Sequence, residues 1–312
     1  MTGLVLLDHP RGDAAWDGLA PITTARPLAE VRVGARLVRE RWAAALGRPV
    51  TGVIAATRLT GFEEPGSVPV LLDDDMLDPG TVIAWSHFAP SLAPVTVGTN
   101  DTWTHDGVVV AAALSRRSSV REIRDLGVVA AERSGPMDGW RLQNPWDLIG
   151  FLPAMLAADA LFLARAALPP RSVPPDVRVL GDFPVRIAET AVLEPFVVLD
   201  ASQGAIVLEE HSVVRSFSRL NGPFVLGAHS HFMIGLGHTS SIGDHCKVSG
   251  EISTSILCGH ANKGHDGFLG HSYLGRLRTR RRHRHVEPEE HVRAGLLRRT
   301  GHRPAVSWLA DR

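Results

Sequence analysis

The feature that most constrains this chain is a recurrence of short apolar pairs, each followed by glycine or an acid and then by small residues. Leu208-Glu209-Glu210, Leu226-Gly227-Ala228 and Ile242-Gly243-Asp244 start 18 and 16 residues apart. That spacing is close to one coil made of three six-residue strand-plus-turn units. Each side of such a prism needs an inward aliphatic and a small or turn-forming residue at the corner. Ser212-Val213-Val214, Ser241-Ile242-Gly243 and Lys247-Val248-Ser249 follow that logic. The spacing predicts a left-handed parallel β-helix of hexapeptide repeats over 176–275. An ordinary β-sandwich of irregular strands is the alternative, and the repeat length, which holds over several coils, argues against it.

Upstream the pattern is different. Leu4 to Leu7 is an apolar run that ends in the carboxylate of Asp8, as expected of a buried parallel strand. Pro27 to Leu46 reads as a helix with Leu28, Val31, Ala35, Val38 and Trp42 on one face. Gly52–Ala56, Val68–Leu72, Thr81–Trp85 and Gly107–Leu114 read as strands, so 1–145 is expected to be an open α/β sheet. Trp146 to Ala167 is the longest helical pattern, with Asn144 as its cap. The proline-dense 168–175 then closes a connecting segment, 146–175. A chain of 312 residues has room for both domains.

Charge is balanced at 33 to 33, which gives no global basic field for nucleic acid. Cys246 and Cys258 lack zinc-ligand spacing and read as reduced core residues of a cytoplasmic protein. No segment reads as a signal peptide, and the apolar stretch 148–168 carries Pro153, Asp159 and Arg165, so no membrane span is expected. The arginine, alanine and proline bias suggests a bacterial source.

The chain contains only two lysines, Lys247 and Lys263, and one of them lies in Asn262-Lys-Gly-His-Asp-Gly-Phe-Leu-Gly270. A basic side chain, an imidazole and a carboxylate packed between glycines make this stretch the first place to look for chemistry.

Leu19 to Gly34, Pro145-Trp-Asp-Leu148, Val197 to Ala201, Leu220-Asn-Gly-Pro223, Ser241 to Glu251 and this nonapeptide together resemble a bacterial family of sugar nucleotidyltransferases. That family is related to the bifunctional enzyme that uridylates N-acetylglucosamine-1-phosphate and acetylates glucosamine-1-phosphate. The resemblance covers roughly 1–275. It implies a Rossmann-like nucleotidyltransferase domain before the β-helix, and a transferase acting on sugar phosphates or nucleotide sugars. It also implies a homotrimer, Mg2+ for nucleotidyl transfer, and acetyl-CoA or another acyl-CoA as co-substrate. In the related acetyltransferases a solenoid histidine is the general base; His265 is the position that matches, with Lys263 and Asn262 as substrate contacts. The glycine-rich phosphate loop of those enzymes is replaced here by residues 8–15, with one glycine and a proline. Arg11 or Arg26 could hold a phosphate in its place, and Arg26 reads equally well as a structural partner of a carboxylate. Asp73 and Asp75 sit where a magnesium ligand would belong, or else form a solvated turn. The degenerate loop leaves a second reading open: a catalytically inactive relative that binds a nucleotide sugar or serves in assembly.

The family would continue past Gly275 with further coils. Residues 276–312 lack hexapeptide spacing and begin with a basic run, Arg276 to Arg284. Back-translated and shifted by one base, His283 to Ala294 can read Thr-Val-Thr-Ser-Asn-Leu-Lys-Asn-Thr-Tyr-Gly, as the family predicts. A frameshift near Gly275 is the expectation, and resequencing the locus tests it. The alternative, a basic arm for nucleic acid or acidic lipid, is weaker, there being no aromatic residue among the arginines to stack on a base. Either way a poorly ordered tail is expected, with a short helix over Pro288–Arg298.

Overall fold

The computed structural model describes residues 3–8, 15–95, 102–128, 133–165, 173–276, 296–300 and 303–307. They fall into two compact units, 1–147 and 148–312.

In the first unit β1 (Leu4–Leu7) is followed by α1 (Ala15–Thr23), α2 (Val38–Leu46) and β2 (Val50–Ile54). Then come β3 (Val82–Trp85), β4 (Thr102–His105), β5 (Val108–Ala113), α3 (Val120–Leu126) and β6 (Ser134–Pro136). The six strands form one sheet in the order β6-β4-β5-β3-β1-β2. β1 runs parallel to both neighbours, with Leu7 opposite Ile54 on one side and Trp85 on the other. All four residues of β1 are buried, which explains its unbroken apolar run. On one face Val5, Leu7, Ile54 and Ile83 pack with Val120 and Ile123 of α3. α3 starts with a capping box: Ser119 Oγ accepts from Glu122 N–H, and Glu122 Oε2 accepts from Ser119 N–H. Buried Trp42 of α2 donates its indole N–H to the carbonyls of Trp85 and Phe88.

The helix expected over 27–46 is interrupted. Leu28–Glu30 is a 3-10 turn, and Arg32–Val33 pairs with Arg36–Leu37 as a tight hairpin before α2. Gly34, with φ 59°, makes that turn possible. Val68–Leu72 contributes only one parallel bridge, Val53 to Val70. The long helix of the sequence begins at Leu152, after a separate turn at Asp147–Gly150. Asn144 does not cap it: Asp147 Oδ2 accepts the N–H groups of Gln143 and Asn144.

The second unit holds α4 (Leu152–Arg165) against a parallel β-solenoid of about five turns over 178–274, as the apolar spacing predicts. Three columns of parallel strands form its faces. One runs from Arg178–Leu180 through Val198–Asp200, Arg219, Leu236 and Glu251 to Phe268–Gly270. The second stacks Val185–Ile187, Ile206–Leu208, Phe224–Leu226, Ser240–Ile242, Ile256–Leu257 and Tyr273–Leu274. The third stacks Val192–Leu193, Val213–Val214, His231–Phe232, Lys247–Val248 and Asn262–Lys263. Leu199, Leu220, Ile252, Phe224, Leu226, Phe232 and Val248 fill the interior. Gly237 stands in the inward row because a Cβ there would meet the Phe224 ring at 2.7 Å. Cys246 and Cys258 are buried and form no disulfide, as expected of reduced core residues.

The corners take the left-handed backbone conformation. His211, His229, His245 and His260 do so at one corner (φ 50–57°), Thr239, Thr254 and His271 at the second, and Phe196 and Phe217 at the third.

Beyond the solenoid, Leu296–Thr300 and Arg303–Ser307 are antiparallel strands, the first paired with Ser272–Leu274. This departs from the disordered tail and from the helix expected up to Arg298; the rest of that helix lies outside the described residues. Leu296, Leu297 and Arg298 take a strand instead because they find the open edge of the last coil as a pairing partner.

Candidate functional site

β1 lies between β2, the next long strand in the chain, and β3, which follows β2 but returns to the opposite side of β1. In open α/β sheets ligands bind at such a reversal, outside the carboxyl ends of the strands. Asp8, Ala55 and Ser86 follow the three strands there, in register: Asp8 N–H donates to the Ile54 carbonyl and Ser86 N–H to that of Leu7.

Asp8 is fully buried and its Oδ2 accepts from Leu28 N–H at 2.9 Å. Burial pushes its carboxyl up to about 6, against the hydrogen bonds of Ser86, Leu28 and Ala29, which favour the ionised form. It therefore holds the 28–30 turn against the end of β1. His87, buried next to Ser86, accepts from Leu142 N–H through its carbonyl. Arg58, exposed after β2, reaches back to the end of α1 and donates to the carbonyls of Thr23 and Thr24 at 3.2 and 3.4 Å. None of Asp8, Arg58, Ser86 and His87 stands in a motif that marks it as a site residue in the sequence. For Asp8 the available signal was a carboxylate placed directly after a wholly apolar parallel strand.

The nominated residues of this unit have protein partners. Arg26 pairs with Glu64 Oε1 at 2.8 Å and donates to the Glu30 carbonyl at 3.1 Å, which is the structural alternative foreseen for it. Arg11 lies outside the described residues. Asp73 does sit at the sheet's carboxyl edge, but its carboxylate is turned onto Arg124, which also donates to the Ala55 carbonyl. Asp75 Oδ2 folds back to accept from Leu72 N–H at 2.7 Å. Among the described residues no three histidine, cysteine or acidic side chains converge on a common point. Asp73 and Asp75 brace the start of α3, whose Arg121 and Val120 N–H groups donate to their carbonyls.

In the second unit Lys263 stands in register with the inward-facing Val248, so its stem continues the core column. Its ammonium donates to the carbonyls of Ser249, His265 and Gly267 at 2.5, 2.9 and 2.9 Å. All three donors of the ammonium then have acceptors within the protein. Burial lowers its proton affinity, opposed by the Asp266 carboxylate. His265 is exposed, and among the described residues its ring has no hydrogen-bond partner. Asp266 does not orient it, being 3.5 Å from Ser249 Oγ. Asn262 is exposed, its amide lying close over Gly264.

No helix among the described residues is long and apolar enough to cross a membrane. No curated protein matches the chain. The profile of the sugar nucleotidyl transferase family matches residues 11–167, just over half of the 312. The chain belongs to the sugar nucleotidyl transferase family.

Proposed function

We propose that the first unit transfers a nucleotidyl group to a sugar phosphate at the carboxyl edge of β1, β2 and β3. The observation that carries this reading is the reversal of strand order at β1, in a chain of this family. In the reaction an oxygen of the sugar phosphate attacks the α-phosphorus of a nucleoside triphosphate. The bond to the β-phosphate breaks and pyrophosphate leaves, so the protein's task is positioning and charge stabilisation. Arg58 is the rim cation we assign to a phosphate, and Asp8 positions the turn that borders this edge. We assign no Mg2+ to Asp73 and Asp75, whose carboxylates have protein partners. Pyrophosphate release from a panel of nucleoside triphosphates and sugar 1-phosphates tests the reaction, and calorimetry tests nucleotide binding. Arg58→Ala is expected to weaken binding about tenfold, the value of one charge-assisted hydrogen bond. Absence of binding for every nucleotide would leave the non-catalytic alternative.

Acyl transfer from acetyl-CoA to an amino-sugar phosphate, with His265 as general base, is the second reading. It is favoured by an exposed imidazole on a loop whose carbonyls are anchored by Lys263. The base would take the amine proton as nitrogen attacks the thioester and the CoA thiolate leaves. Acetyl-CoA consumption by wild type and His265→Ala decides it; equal background rates remove the claim. Phe196 and Phe217, stacked at 5.5 Å and each more than 60% exposed, favour assembly through the solenoid, and sedimentation tests the homotrimer.

A further inference from the structure

The corner that joins the second and third faces of the solenoid carries a column of four imidazoles. His211, His229, His245 and His260 come from four consecutive coils, each in the left-handed conformation. Neighbouring ring centroids are 4.8 Å apart throughout, at interplanar angles of 19°, 1° and 20°. The spacing is that of hydrogen-bonded strands, so the backbone sets it. The repeated φ points each Cα–Cβ bond the same way. His211, His229 and His245 are exposed.

We propose that this column is a binding site for a borderline transition-metal ion such as Ni2+, Cu2+ or Zn2+, held by two imidazoles from adjacent coils and completed by water. Neutral imidazole is a ligand for all three ions. Metal–nitrogen bonds of about 2.0–2.1 Å at a right angle place the two nitrogens roughly 3 Å apart. The rings stack nearly parallel with centroids 4.8 Å apart, so two neighbours have to tilt their nitrogens toward one another to share an ion, a χ rotation that an exposed corner allows. The absence of any three converging ligand groups among the described residues fits an open two-nitrogen site and excludes a closed structural one. The carboxylates of this corner have other partners. Glu210 is 3.7 Å from Arg186, and Asp244 Oδ1 accepts from Ala228 N–H. They contribute negative potential and leave coordination to the rings. At the first end the column stops at Thr190, whose hydroxyl accepts from His211 N–H.

The test is calorimetric titration of the metal-free full chain with Ni2+ alone, near pH 7.5 in a non-coordinating buffer. The decisive variant is His229→Asn with His245→Asn, because asparagine tolerates the left-handed corner. It leaves only His211 and His260, which are three coils apart. Saturable binding in the wild type should weaken at least tenfold in this variant. His211→Asn alone preserves two adjacent pairs and should change affinity by about twofold or less. His231→Asn with His238→Asn, outside the column, should match the wild type. Equal weakening in that control, or undiminished binding in the central double variant, overturns the proposal. Should the central variant fail to fold by circular dichroism, Cu2+ electron paramagnetic resonance of the wild type decides. Hyperfine coupling to two imidazole nitrogens supports the column, and coupling to one overturns it.

Discussion

Asp8→Asn should make the first unit more stable at neutral pH and remove the part of its pH dependence that this carboxyl contributes. The wild-type carboxyl is held at about 6 in the fold against 3.8 in the unfolded chain, chiefly by burial. The folded state therefore binds this proton more tightly. The stabilising contribution is complete below about pH 4 and is lost as pH rises through about 6. The interval of 6 minus 3.8, or about 2.2 pH units at about 1.4 kcal/mol each, amounts to roughly 3 kcal/mol. Asparagine keeps an acceptor for Leu28 N–H, and its amide can donate to Ser86 Oγ without ever ionising. Equilibrium urea unfolding from pH 4 to 8, followed by tryptophan fluorescence, reads this unit selectively. Six of the seven tryptophans lie in it, at positions 16, 42, 85, 103, 140 and 146. The two proteins should coincide near pH 4 and diverge by up to about 3 kcal/mol in favour of the variant by pH 7. Parallel stability curves over that range would refute the assignment of a buried, ionising carboxyl at the end of β1. A stabilised variant with less nucleotide transfer would mark Asp8 as retained for function.

Three further substitutions test the contacts described above. Arg26→Ala should cost about 3–5 kcal/mol in thermal or urea unfolding, because it strands the buried Glu64 carboxylate; weaker nucleotide binding at unchanged stability would return Arg26 to the phosphate role. Lys263→Met keeps the stem in the core column but removes the ammonium from three carbonyls, of which Gly267 retains the Glu251 N–H. A loss of about 1–3 kcal/mol, with faster amide exchange over 264–267, is expected. Gly237→Ala should destabilise the solenoid by about 1–3 kcal/mol through overlap with Phe224, and Phe224→Leu in the same chain should recover part of that loss.

The solenoid was legible because its repeat is local: an inward aliphatic every coil leaves a period that needs no knowledge of distant partners. β1, β2, β3 and β5 were legible for the same reason, being apolar runs bounded by turn residues. The helix expected over 27–46 failed at Gly34, where a two-residue turn breaks an apolar face whose spacing looks helical on either side. β4 and β6 were not foreseen; they join the sheet through pairing with neighbours that the local pattern does not reveal. At the candidate sites, residue type was legible and direction was not. Lys263 reads as a free cation in the sequence. Only the register with Val248 shows its stem pointing inward and its charge occupied by backbone carbonyls. The carboxylates of Asp73 and Asp75 are likewise claimed by Arg124 and the Leu72 amide, a matter of tertiary placement. The four corner histidines recur 18, 16 and 15 residues apart, which is visible in the sequence once the coil length is known.

The unbroken stacking of corners also governs how damage spreads through the second unit. Within the solenoid each coil touches only the coil above and the coil below, so away from α4, which packs across several coils, it behaves as a line of coupled links and not as a sphere with one centre. Two lesions placed in adjacent coils should interact, whereas two placed several coils apart should simply add. A double-mutant series walked along one corner would then measure, link by link, how far a disturbance travels before the stack absorbs it.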